Sequence, residues 1–162
     1  MSLIFSNNNL YRKETIFFLF LYLTLIISFI FGENSTGGAI KDYLNQKSAS
    51  QGFANEFLIT FYEYDTFATR HSPVLIIFLS LFERINIPDT LIRLIHMHLC
   101  LLLPFVFYRC LSVKFSEIDK KILFFLVSLI FLSPTFRSLA IWPDSRLFGL
   151  ILFTLSIYYF LQ

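Results

Sequence analysis

Cysteine is scarce in this chain. Its 162 residues hold two, Cys100 and Cys110. About ten positions apart on one helix is about 15 Å, too far for a disulfide, so both read as reduced structural thiols. Net charge is small as well. Lys+Arg 13 against Asp+Glu 11 leaves +2, scattered along the chain, which gives no electrostatic footprint for nucleic acid. No glycine-rich turn opens a helix in the pattern that cradles phosphates, so no nucleotide cofactor is expected. Internal repeats and low-complexity linkers are also missing.

What fills the chain is apolar. Hydrophobic residues make up 56% and aromatics 19%, and mean hydropathy is +0.68, too apolar for an ordinary soluble domain. These values predict an all-α, polytopic transmembrane helix bundle forming one domain. Four spans are expected: Thr15–Phe31, Thr90–Tyr108, Ile122–Phe136 and Leu147–Leu161. Tyr11-Arg12-Lys13 precedes the first, but its apolar run is too long for a cleavable leader and no small-residue cleavage site follows. It reads as a retained anchor. Val74–Phe82 reaches only about 14 Å as a helix, half the hydrocarbon thickness. Crossing would drag Glu83 and Arg84 into lipid, so residues 72–82 are expected to be re-entrant or interfacial. Lys114, Lys120 and Lys121 then fall on the cytoplasmic side, as the positive-inside rule favours. Residues 32–71 and 133–146 share the outer face.

The loop 32–71 is long for a connection between spans, and long loops tend to be functional or disordered. Its aromatic residues, Phe53, Phe57, Phe61, Tyr62, Tyr64 and Phe67, argue against disorder. Gly37-Gly38 and Gly52 bound a first expected helix near Ala39–Lys47. Phe53, Phe57, Leu58 and Phe61 repeat at helical spacing, with Glu56 and Glu63 on other faces, which suits a helix lying in the headgroup region.

Two outer-face segments carry the polar chemistry. Glu33 and Asp42 lie in the first, Arg137 and Asp144 in the second. An acid beside an apolar span is partly desolvated, which raises its pKa toward the range of a useful base. Two acids from separate segments also bracket one reaction centre or one divalent cation. Arg70 reads equally as a phosphate clamp or a snorkelling side chain, and His71 reads more readily as a loop residue than as a ligand. Arg137 and Asp144 read equally as site residues or as a pair that steadies their loop. Trp142-Pro143 reads as an interfacial anchor. His96 and His98 point apart on a helix, and Arg93 with His96 reads as polar packing inside the bundle. Asn34-Ser35-Thr36 matches a glycosylation sequon and is read as a chance match.

In these features the chain resembles the C-type glycosyltransferase superfamily of polyprenyl-phosphate-sugar-dependent enzymes, which includes the protein mannosyltransferases and the lipid A aminoarabinose transferases. The resemblance rests on a first span, a large outer loop with an acid near its start, Arg70-His71-Ser72-Pro73 closing that loop, and Ser133-Pro134 leading to Asp144. It implies a membrane glycosyltransferase, here its N-terminal part, since family members run several times longer. It implies transfer of a sugar from a polyprenyl-phosphate donor to a glycan, lipid or protein acceptor at the outer face of a bacterial inner membrane. Asp42 would be the base, with Glu33 as alternate, and Arg70, His71, Arg137 and Asp144 would bind substrate. No cofactor is implied beyond an optional divalent cation. The rival expectation is a non-enzymatic membrane protein, such as a transporter or flippase fragment or an assembly partner.

Overall fold

A computed structural model describes residues 3–35, 37–67 and 72–162, with side chains from Ile16 onward. The described residues form helices and turns, with no strand among them. Helix α1 (Leu3–Phe31) starts well before the expected first span. It ends in a Schellman motif: Gly32 N–H donates to Phe29 O and Glu33 N–H to Ser28 O, with Gly32 at φ +61. Glycine takes this left-handed position without a Cβ penalty.

Helix α2 (Ala39–Asn55) corrects the sequence reading, because it runs through Gly52 rather than stopping near Lys47. A Cβ at Gly52 would lie 2.9 Å from Thr60 Oγ1 and 3.1 Å from Phe67 Cζ. The glycine there admits a neighbouring segment and does not break the helix. The break comes at Glu56 (φ −139, ψ 75), before α3 (Phe57–Tyr62), so Phe53 and Phe61 belong to different helices. Phe53 is buried with Ala49 and Ile76, the last on α4 (Val74–Arg84). Arg84 donates to Phe53 O and Ala54 O, satisfying carbonyls that the end of α2 leaves open. A second Schellman motif, with Asn86 at φ 55, closes α4: Asn86 N–H donates to Glu83 O and Ile87 N–H to Phe82 O.

Helices α5 (Asp89–Cys100) and α6 (Leu102–Lys114) are separated by one residue. Pro104 has no N–H for Cys100 O and its ring crowds that carbonyl, which loosens the turn. Together the two form a 26-residue helix, Asp89–Lys114, the one unbent helix among the described residues long and apolar enough to cross a membrane. Helix α7 (Lys120–Ser128) continues as a 3₁₀ turn (Leu129–Leu132) before α8 (Pro134–Ile141). The expected straight span Ile122–Phe136 is instead bent by 67°. Pro134 starts a new helix whose cap is Ser133, accepting from Phe136 N–H. The apolar part of α1, Ile16–Phe31, and α9 (Ser145–Leu161) are shorter apolar helices. Among the described residues the fold is therefore all-α, with one membrane-span candidate, or two if the bent pair is one span.

Leu21 and Leu25 of α1, Met97, Cys100 and Leu103 of α5 and α6, Phe136 and Ile141 of α8, and Leu147 and Ile151 of α9 form the main core. Ile30, Phe31, Phe153 and Phe160 lie outside it and are exposed.

Candidate functional site

The end of α1 delivers Glu33 to the side of α8. There Arg137 grips the carboxylate with both edges of its guanidinium, Nε to Oε2 at 2.8 Å and Nη2 to Oε1 at 2.9 Å. The Ser28 and Ser35 hydroxyls donate to the same two oxygens. Arg137 Nη1 donates to Phe131 O and Leu132 O, so its donors on both sides are engaged. The Arg137 hydrogen bonds, helped by Ser28 and Ser35 and opposed by burial, hold Glu33 down at about 2. The sequence predicted a shift upward. Desolvation is outweighed by hydrogen bonds to the charged form, and so saturated a carboxylate is a poor base. Neighbouring contacts sew the turn to α8: Trp142 Nε1–H donates to Glu33 O at 3.1 Å and Ser35 N–H to Ser138 Oγ at 3.0 Å.

A second cluster joins the two other acids. Asp42 stands in the first turn of α2 and Asp144 caps α9, accepting from Arg146 N–H at 2.8 Å. Arg146 bridges them. Its Nη2 donates to Asp42 Oδ2 at 2.6 Å and to Asp144 Oδ2 at 2.8 Å, and its Nε to Asp144 Oδ1 at 3.0 Å. Exposure is graded across the cluster: Asp144 is 1% exposed, Asp42 34% and Arg146 49%. The Asp144 hydrogen bonds, then the charges of both acids, raise the Arg146 pKa against the opposing effect of burial. Arg137, expected beside Asp144, pairs with Glu33 instead.

Between the clusters lies an aromatic and cationic junction. Tyr43 packs on Trp142 at 5.8 Å, and the Arg93 guanidinium sits 3.5 Å from the Trp142 ring centroid. Arg93 Nε donates to Ile141 O at 3.0 Å and His96 Nδ1 lies 2.9 Å from Ala140 O. Together they satisfy the last carbonyls of α8, and the Arg93 charge suits that helix C-terminus. His98 faces the other way, to Tyr22 Oη at 2.8 Å. Gln46 Oε1 accepts from Ser145 Oγ at 2.8 Å. Tyr43 Oη, Gln46 Nε2 and Arg93 Nη2 are buried without a hydrogen-bond partner among the described residues.

Of the six residues singled out in sequence, Glu33, Asp42, Arg137 and Asp144 gather along one edge formed by α2, α8 and the start of α9. Arg70 and His71 lie outside the described residues. Arg146 was missed. The signal was present in Asp144-Ser145-Arg146, a capping acid followed two residues on by a cation able to reach back to it. Among the described residues no three His, Cys, Asp or Glu side chains gather to hold a metal ion; Asp42 and Asp144 meet across a guanidinium. Comparisons of the chain with family models, curated proteins and solved structures find no match.

Proposed function

We propose that this chain is a polytopic membrane protein contributing the acidic, outer-face half of a glycosyltransferase that uses a polyprenyl-phosphate-linked sugar. The observation that carries the reading is the Asp42–Arg146–Asp144 cluster, in which a half-exposed cation and a part-exposed acid share one anchor. Asp144 fixes Arg146, and Arg146 orients Asp42 through Oδ2, leaving Asp42 Oδ1 to accept a proton. In the proposed step the acceptor O–H gives its proton to Asp42 and its oxygen bonds to the anomeric carbon. The anomeric C–O bond to phosphate breaks, and its electron pair leaves on the polyprenyl phosphate. Arg146 balances the phosphate charge; Arg137, expected to bind substrate, is committed to Glu33. The membrane part of the reading draws on the apolar length of Asp89–Lys114 and on the exposed apolar side chains of α1 and α9.

The test is transfer from a polyprenyl-phosphate-linked sugar by membrane-inserted protein. Asp42→Asn is expected to lower the rate by about 10²-fold or more, the usual worth of a positioned base, with insertion unchanged. Retained transfer would remove Asp42 from the mechanism.

A second reading, a non-catalytic assembly partner, is favoured by the saturation of Glu33. In that case Asp42→Asn lowers only stability, as loss of a surface ion pair does.

A further inference from the structure

A groove of about 530 Å³ runs between α6 and α9, away from the acidic edge. Leu103, Cys110, Leu150, Phe153 and Leu161 are among its apolar walls, and Lys114 is the charged residue lining it. The Thr154 hydroxyl, also in the lining, is turned back onto Leu150 O at 2.7 Å, which removes its polarity from the groove. The two helices run parallel. His96 meets Asp144 near one end and Cys110 meets Thr154 farther along both, so Lys114 and Leu161 share the end remote from Asp144.

From Leu150 to Leu161 the groove follows α9 for about 16 Å, close to half of a hydrocarbon core of about 30 Å. That is the depth of one leaflet. Lys114 is exposed and forms no ion pair among the described residues, and Lys120 and Lys121 follow at the start of α7. The lining is bulky. Transmembrane helices approach closely over small residues, whereas a flexible hydrocarbon chain fits between Leu, Ile and Phe side chains.

We propose that this groove holds one acyl chain of an anionic glycerophospholipid of the cytoplasmic leaflet, with its phosphate on Lys114. The proposal rests on the membrane reading above but not on the transferase reading. The test uses the full chain in mild detergent, with phosphatidylglycerol and phosphatidylcholine offered in turn and adducts counted by native mass spectrometry. Phosphatidylglycerol is expected to bind about fivefold more tightly, the worth of one lysine at an anionic headgroup. Lys114→Glu should abolish that preference while keeping the phosphatidylcholine adduct. Leu150→Trp, which fills the groove, should remove both adducts. Equal binding of the two lipids, or adducts unchanged in both variants, would overturn the proposal, as would a lipid-free dimer that Leu150→Trp dissociates. Carbonate extraction of native membranes separates the two failures. An extracted chain overturns the membrane reading and the groove together, and an inserted chain without adducts overturns the groove alone.

Discussion

At the scale of single residues, Glu33 and Asp42 have opposite characters. Glu33 has four side-chain donors on its carboxylate, while Asp42 has Arg146 on one oxygen and stands part-exposed. Glu33 and Arg137 are each less than one-fifth exposed, so solvent screens the pair little. The Glu33 pKa falls from 4.5 to about 2 on folding. A depressed carboxylate adds stability that is complete above the unfolded value and is lost as pH falls through the folded one, here from about 4.5 down to about 2. The shift corresponds to roughly 3 kcal/mol. Glu33→Gln is therefore expected to lower stability by about 2 kcal/mol or more, since it leaves Arg137 without its anion. It should also flatten the acid limb of a melting-temperature profile over that pH range. An unchanged acid limb would show that Glu33 does not set it. Arg146→Ala should act differently: it frees Asp42 but leaves the buried Asp144 without its guanidinium, a larger loss than removing Asp42, and the difference is measurable in parallel melts.

At the scale of elements, the sequence was informative where the apolar period is local. The apolar runs located α1, α5 with α6, and α9. It was uninformative where a contact between distant segments decides. Gly52 is a turn signal by composition, but Thr60 and Phe67 use its missing Cβ, so α2 passes through it. Gly52→Val is expected to cost about 2 kcal/mol by overpacking, seen as a lower melting temperature and faster proteolysis around Glu56. Stability equal to the parent would refute that close approach. The bend at Ser133 had a readable cause in Pro134, yet a window of apolar residues read straight across it. The pairing of Glu33 with Arg137 spans 104 positions, and no local pattern encodes such a partner. The side on which Arg137 falls depends on the 67° turn into α8.

At the scale of the whole molecule, the parallel course of α6 and α9 puts the acidic edge at one end and Lys114 at the other. In a bilayer this predicts that Ser116→Cys is labelled by an impermeant thiol reagent only from the cytoplasmic side. Labelling from outside alone would invert the arrangement and detach the acids from the outer face. The clasp on α8 bears on biosynthesis. Arg93 and His96 are made before the carbonyls of Ala140 and Ile141 that they hold, and Glu33 is made about a hundred residues before Arg137. A ribosome-bound chain that has released α5 but not α8 thus carries three polar groups waiting for one short helix. The emergence of residues 134–141 is the moment at which the early and middle parts of the chain lock together. A nascent chain stalled just short of it should hold the turn after α1 open to protease, and one stalled well past it should not.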